Sequence, residues 1–377
     1  MYPAIDFTFL SEEDMEKAGV CDMPACIDTM EEMLKCVHAG DYVMAGENHD
    51  SHGAQISFPK TSPFPNMPTD KGDDRRFMAM PAYLGGPFDL TGVKWYGSNM
   101  YNKKIGLPRS ILTLMLNDKT TGAPLCLMSA NLLSAYRTGA VPGVGAKYLA
   151  PEKAETCAIC GPGVMGHTAL LAMMCVRPTI KRVKVKGRGR KSLEKFISDV
   201  KSKFPQLESV EAVDTVQDLV RDADIVIFSN SGGTDPSTYP FIRSEWLKPG
   251  CFIAALSCFQ MDSYDMAKHC RLLVDHMGLY DAWAREFPYP SFGANNIIGS
   301  KFTDMVYEGI ITREQICDLG DVLSGKEVCR QSPEDIIVYS IGGMPVEDIA
   351  WGSVCYRNAK KKGIGTSLNL WESPALA

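Results

Sequence analysis

Gly161-Pro162-Gly163-Val164-Met165-Gly166 has the G-x-G-x-x-G spacing of a phosphate-binding turn. It follows an apolar run of strand length, Thr156-Cys157-Ala158-Ile159-Cys160. It precedes a segment rich in Ala, Leu and Met, His167 to Val176, that reads as a helix. In that setting each glycine has a task. Gly161 allows the tight turn, Gly163 lets the backbone approach a pyrophosphate, and Gly166 lets helix and strand pack closely. The unpaired N–H groups of the helix N-terminus, around Val164 and Met165, would hold the anion. The alternative is a glycine-rich turn that binds nothing.

The next segment bears on which dinucleotide is meant. A second strand, Val183-Lys184-Val185, should end near an acid ~20 residues beyond the glycines if NAD is bound, because a carboxylate accepts from the ribose 2′-OH. The chain instead reads Gly187-Arg188-Gly189-Arg190-Lys191-Ser192, and between Lys181 and Lys191 there are seven cations and no acid. A 2′-phosphate needs such donors and would be repelled by a carboxylate. The spacing therefore favours NADP(H) over NAD(H), with Arg188, Arg190 and Lys191 as phosphate contacts. The alternatives are a solvated basic loop or a nucleic-acid patch. A net charge of −6 argues against nucleic acid as the main partner.

A chain of 377 residues can bury two cores or one elaborated core. No apolar stretch approaches the ~20 residues of a membrane span. Met1 to Glu13 lacks a basic start and a signal-like apolar core, so a cytoplasmic location is expected. The 13 cysteines lack regular spacing, as expected of reduced thiols. Cys157-x-x-Cys160 looks like a redox motif but lies inside the first strand, where residues three apart face opposite ways; both read as buried fillers. His49-x-x-His52 could pair on a metal, yet no further ligand follows at metal spacing, so no metal is expected.

From about 155 to 330, strands and helices alternate. One amphipathic helix carries Leu193, Phe196, Ile197 and Val200 on one face, with Ser192 as its cap. Thr215 starts another. The strand Ile225-Val226-Ile227-Phe228 runs into Ser229-Asn230-Ser231-Gly232-Gly233, a polar turn at the carboxyl edge, where Asn230 and Ser231 would meet a ligand. Pro249-Gly250 turns into Phe252-Ile253-Ala254-Ala255-Leu256, and Leu272-Leu273-Val274 reads as the last strand. This is one doubly wound parallel sheet, a Rossmann domain.

The first ~150 residues differ from this alternation. Helices are expected from Ser11 to Lys17 and from Met23 to His38, then a loop rich in Pro, Asp and Gly between about 46 and 76. Strand-like runs follow at Phe77 to Met80, Gly92 to Tyr96 and Ile111 to Asn117. Asp118-Lys119-Thr120-Thr121-Gly122 joins the last of these to Leu125-Cys126-Leu127-Met128 as a hairpin. A helix from about Ser129 to Leu149 enters the Rossmann domain. Beyond 330 the chain is expected to return to the first domain, with an apolar stretch from Ile336 to Met344. A helix from Val346 to Lys361 follows, with Ile349, Ala350 and Val354 inward. The fold class is α/β: a Rossmann domain, 146–330, inserted in a discontinuous α+β domain, 1–145 plus 331–377.

Several segments together resemble the ornithine cyclodeaminase/mu-crystallin family. They are Gly92-Val93-Lys94, Leu133-Ser134-Ala135-Tyr136-Arg137-Thr138-Gly139-Ala140, Ala146-Lys147-Tyr148-Leu149, the glycine turn, and Gly325-Lys326. The similarity runs from Phe9-Leu10-Ser11 to Gly363-Ile364-Gly365-Thr366. It implies a homodimer built by the substrate-binding domains, and an amino-acid or cyclic-imine substrate beside a nicotinamide. Family members include cyclodeaminases, alanine dehydrogenases, ketimine reductases and opine-like synthases.

By the resemblance, Lys94 and Arg137 match the family's carboxylate-binding positions, and Thr138 matches a threonine that contacts the cofactor. A guanidinium grips both carboxylate oxygens, while an ammonium supplies a point charge. The alternatives are a solvent-facing strand lysine for Lys94, and an interdomain salt bridge or a cofactor phosphate contact for Arg137. The family's catalytic Asp falls on Phe259 in Ser257-Cys258-Phe259-Gln260-Met261-Asp262. Asp262 matches another branch and could accept a proton, or it could sit ahead of a helix from Tyr264 to His269. The family's second substrate arginine has no clean counterpart. Gln55-Ile56-Ser57-Phe58-Pro59-Lys60 falls there, with Lys60 as the candidate substitute.

The expected reaction is hydride transfer between NADP(H) and the Cα of an α-imino or α-amino acid. Lys94 and Arg137 would fix the carboxylate so that Cα lies ~3–3.5 Å from nicotinamide C4. The expected catalytic residues are Lys94 and Asp262. One alternative is cyclodeamination of ornithine to proline and ammonia with NAD recycled, which the basic loop and the missing Asp disfavour. Another is a protein that holds NADPH and a small ligand without turnover.

Overall fold

Runs of consecutive apolar residues form an eight-stranded parallel sheet. Its order is Ser209–Ala212, Arg182–Lys186, Thr156–Cys160, Ile225–Phe228, Phe252–Ala255, Ile336–Ser340, Cys270–Val274, Ile316–Asp318. Every residue of Thr156–Cys160, Ile225–Phe228, Phe252–Ala255 and Ile336–Ser340 is buried. That pattern belongs to central parallel strands covered on both faces, which need no polar alternation. The computed structural model describes residues 2–72, 74–231, 235–295 and 297–376. Gly232 and Gly233 of the expected polar turn lie outside them.

By its internal contacts the chain divides into two units. The parallel sheet belongs to Met23–His38 plus Thr138–Gly343, and the other unit comprises Met1–Asp22, Ala39–Arg137 and Met344–Ala377. Both expected boundaries therefore move. Ile336–Ser340 does not return to the first domain but pairs with Phe252–Ala255 and Cys270–Val274 inside the parallel sheet, so the second crossing falls after Gly343 rather than at 330. Leu272–Val274 is likewise not the last strand. The helix Met23–His38 groups with the parallel sheet because it packs on the helices Val164–Val176 and Leu319–Leu323, and its Glu31, 8 % exposed, accepts from Lys147 Nζ at 2.7 Å and from Tyr148 Oη at 2.9 Å. Burial works against the Glu31 carboxylate, but these donors and Lys35 outweigh it and hold its pKa at about 2. The first crossing falls within the helix Asn131–Leu149, between Arg137 and Thr138.

The other unit is built on a mixed sheet in the order Thr366–Trp371, Ile5–Leu10, Pro124–Ser129, Ser110–Asn117, Leu90–Ser98, Arg76–Leu84, Tyr42–Met44. Ala54–Ser57 also pairs with Arg76–Leu84. Only Ile5–Leu10 and Pro124–Ser129 run parallel. The helix Pro345–Lys362 packs on one face. A glycine makes the approach close: a Cβ on Gly352 would lie 2.3 Å from Leu114 Cδ2. Within that helix Ile349 and Ala350 are buried as expected, but Val354 is part-exposed and Cys355 is buried instead. Trp351, 1 % exposed, donates Nε1–H to Val20 O at 3.1 Å.

Two further expectations shift. The helix of Phe196 and Val200 begins at Arg190, with Gly189 as its N-cap and no capping side chain, so Ser192 sits inside the first turn. The strands of the mixed sheet extend beyond the apolar runs because ladder pairing continues through Arg76, Ser98 and Ser110. No helix among the described residues is long and apolar enough to cross a membrane.

Candidate functional site

Lys94 lies in mid-strand in Leu90–Ser98, opposite Met80 and Leu114. Alternation places it with Gly92 on the face under the helix Pro345–Lys362. It is 2 % exposed, and its Nζ donates to Asp348 Oδ2 at 2.6 Å. Arg137, 5 % exposed, donates from Nε to Asp348 Oδ1 at 3.1 Å and from Nη1 to Glu347 Oε2. Glu347 and Asp348 are fully buried in the helix's first turn, behind Pro345, where the helix dipole favours negative charge. Glu347 Oε1 also accepts from Met344 N–H at 2.9 Å.

Two cations thus meet two carboxylates away from water. Burial and the neighbouring Arg137 push the Lys94 ammonium down to about 8, against the pull of Asp348 and Glu347. For Arg137 burial again opposes charge, but Asp348 and Glu347 win and hold it cationic. Among the described residues, Arg137 Nη2 makes no hydrogen bond. Lys94 is therefore not a solvent-facing strand lysine, and Arg137 forms its salt bridges within its own unit.

In the other unit, the glycine turn fits a pyrophosphate. Gly161 has φ 107°, and a Cβ there would lie 2.6 Å from Asn230 N. A Cβ on Gly166 would lie 2.4 Å from Gly161 O, so only glycine lets the helix Val164–Val176 start so close to the turn. At Gly163, the helix N-cap, a Cβ would meet nothing within 4 Å, so the backbone N–H groups stand open to an incoming anion. Val164 and Met165 are exposed beside it. Asn230 ties two strand ends together, donating from Nδ2 to Cys258 O at 3.3 Å and accepting from Ser257 Oγ at 3.0 Å. Ser231 O accepts from Arg188 Nη2 at 3.3 Å, which brings the basic segment to the same carboxyl edge. Arg190 and Lys191 are exposed in the first turn of Arg190–Lys203, a turn without an acid. Thr138 is part-buried on Asn131–Leu149.

The family model for ornithine cyclodeaminase/mu-crystallin matches residues 20–363. The chain belongs to that family. It is 26% identical over 369 residues to the N-((2S)-2-amino-2-carboxyethyl)-L-glutamate dehydrogenase of Staphylococcus aureus, covering 97% of this chain and 99% of that one. It is 28% identical over 307 residues to the alanine dehydrogenase of Archaeoglobus fulgidus, covering 80% of this chain and 85% of the relative. Among solved structures, Thermococcus litoralis Delta(1)-pyrroline-2-carboxylate reductase, bound to NADH and L-proline, superposes with a TM-score of 0.76. That match has 24% identity and covers 96% of this chain and 99% of the other, and it establishes the fold.

Other residues singled out in the sequence stand apart. Asp262 is exposed and caps Ser263–His269, accepting from Asp265 N–H at 2.9 Å, as the alternative reading had it. Phe259, at the family's Asp position, is buried and stacks on Phe228 with centroids 4.6 Å apart. Lys60 is exposed beyond Ala54–Ser57 and makes no ion pair with the described residues. His49 closes a tight turn with φ 62°, its N–H donating to Gly46 O. Cys157 and Cys160 are buried as expected, and burial pushes the Cys160 thiol up to about 11.

Glu347 and Asp348 went unread in the sequence. Their signal was two adjacent acids just behind Pro345 and just ahead of Ile349-Ala350-Trp351, an apolar segment that could tolerate them only beside cations. Replacing Asp348 with Asn should strand two buried cations beside one carboxylate. It should lower the unfolding free energy by about 3–5 kcal/mol in urea titration; a loss below about 1 kcal/mol would mean that the cluster is solvated, as exposed pairs are.

Proposed function

We propose that this protein is an oxidoreductase acting at the Cα–N bond of an α-amino or α-imino acid, with NADP(H) preferred. The observation that carries the reading is the buried pair Lys94 and Arg137. Arg137 remains cationic with Nη2 available, and Lys94 is poised near neutrality at about 8. Arg137 grips the substrate carboxylate. Lys94 assists while charged and passes a proton between its Nζ and the substrate nitrogen, its pKa lying near the operating pH as proton transfer requires. Asp348 orients Lys94 throughout. When bound, the nicotinamide supplies hydride exchange at Cα, and the residues that would hold the dinucleotide are Gly161, Gly163, Gly166 and the first N–H groups of Val164–Val176.

Three supports favour NADP(H) over NAD(H): the cations Arg188, Arg190 and Lys191, the Arg188–Ser231 contact, and a helix first turn that carries cations against its dipole. Cyclodeamination is the weaker reading, since Phe259 is packed in the core and the Asp262 carboxylate is engaged as a cap.

The protein also forms a homodimer through the face of the mixed sheet opposite Lys94. Phe9, Phe77, Trp95 and Ile111 are exposed there, and Phe77 stacks on Trp95 at 5.7 Å. Such a contiguous apolar face is characteristic of an interface.

Lys94 is charged below its pKa of about 8 and neutral above it. Imine reduction consumes a proton, so kcat/KM with NADPH and cyclic imino acids should fall as pH rises through about 8. Lys94→Met should remove that inflection along with most activity. A flat profile in the wild type would contradict the role of Lys94, and no turnover with any imine or keto-acid/amine pair would end the reading. In fluorescence titration NADPH should bind at least about tenfold more tightly than NADH, and Arg188→Ala should erase the difference. Equal affinities in the wild type would refute the cofactor preference. Sedimentation should give a dimer that Trp95→Glu dissociates; a monomeric wild type would refute the interface.

A further inference from the structure

The far edge of the parallel sheet brings two thiols together. Cys317 is the middle residue of the edge strand Ile316–Asp318, in register with Leu273. Cys329 lies beyond the short helix Leu319–Leu323 that follows this strand. Both are buried, 8 % and 2 % exposed, and both are free cysteines. The Cys317 thiol hydrogen-bonds with Cys329 and with the Glu327 side chain. The bond to Cys329, burial and the Glu327 carboxylate all push the Cys317 thiol up, so it keeps its proton.

Both sulfurs are held from outside. Asp318, next to Cys317, accepts from Met277 N–H and from Gly320 N–H, each at 2.8 Å. Arg330, next to Cys329, donates to Leu149 O at 2.8 Å, Gly250 O at 3.0 Å and Asp335 O at 2.7 Å. The N–H groups of Lys326 and Glu327 both donate to Asp321 O. Groups already fixed in contact lose little further freedom on joining. The two cysteines also line one cavity of about 190 Å³, whose wall includes Val328, 66 % exposed. A space of that size admits water and the little larger hydrogen peroxide. Among the described residues no group of three or more His, Cys, Asp or Glu could hold a metal ion, so the chemistry open to the pair is that of two thiols.

We propose that Cys317 and Cys329 are an oxidation site, closing to a reversible disulfide when a peroxide enters the cavity. The site is independent of the reaction proposed above. One sulfur attacks a peroxide oxygen, the O–O bond breaks, and a sulfenic acid forms with release of one water. The second sulfur attacks the first, a second water leaves, and the S–S bond forms. Two electrons pass from the sulfurs to the peroxide, and both thiol protons end in the two waters. The held proton of Cys317 makes this slower than oxidation of an exposed, readily ionised thiol. The partner in contact captures the sulfenic acid before peroxide can oxidise it further. The bridge closes a loop around Leu319–Leu323 and ties the edge strand to the segment that Arg330 anchors, which restricts the unfolded chain.

The test maps the cysteines of the full chain after exposure to about 1 mM hydrogen peroxide, with free thiols alkylated before tryptic digestion without reductant. The expected product joins residues 314–326 to residues 327–330, each peptide carrying one cysteine. Its mass lies two hydrogens below the sum of the two peptides, and dithiothreitol separates it. The oxidised chain should melt about 4 °C or more above the reduced one. Cys317→Ser and Cys329→Ser should each abolish the joined peptides and the gain in melting temperature. Three results on the wild type, which need no variant, overturn the proposal. One is recovery of both cysteines alkylated while other thiols are oxidised. Another is sulfinic or sulfonic acid at either cysteine without a bridge. The third is either cysteine joined in preference to Cys270, which lines the same cavity. A bridge that lowers the melting temperature overturns it too, because the two sulfurs would then have to be forced together.

Discussion

Lys94 and Arg137 are carried into a nearly water-free interior, where an unpaired charge would be very costly, and Glu347 and Asp348 meet them there. Much of the unit's architecture can be read as serving that encounter. The ladder register turns Lys94 inward, Pro345 starts a helix whose first turn suits two acids, and Gly352 lets sheet and helix close on each other. Arg137 arrives from another helix, Asn131–Leu149, and engages both acids at once. The acids are more than counter-charges. By matching Arg137 they keep it cationic, while burial and Arg137 together lower the Lys94 ammonium to about 8, so one environment shifts two neighbouring cations in opposite directions.

The second unit solves a different problem, holding an anion without a dedicated side chain. Gly161 and Gly166 are required by backbone contacts, whereas Gly163 meets only open space; the first two shape the turn and the third leaves room. Asn230 spends both ends of its amide on neighbouring turns, so its role is to fix the carboxyl edge of the sheet. Arg188 reaches that edge by donating to Ser231 O.

The parallel sheet and the glycine turn were legible because buried parallel strands and G-x-G-x-x-G have local signatures. Lys94 and Arg137 were legible through family motifs, since neither periodicity nor spacing distinguishes a buried strand lysine from a solvated one. What stayed hidden depended on pairing across long stretches of chain. Ile336–Ser340 is an apolar run that either sheet could have taken, and only its ladder with Phe252–Ala255 decides. Glu347 and Asp348 lie over two hundred residues from Arg137 in sequence, and reading that helix for its apolar stripe passed over them. Asp262 shows the converse: a carboxylate near a strand end invites a catalytic reading, yet Ser263–His269 needed a cap.

The Lys94 titration tests the central claim most directly. With lysine side chains labelled at Cε, its resonance should be assigned by loss in Lys94→Met and followed with pH, before and after addition of an amino acid. The account predicts a midpoint near 8 in the free protein, moving upward when a carboxylate settles beside it. A midpoint at the ordinary lysine value, indifferent to the ligand, would contradict it.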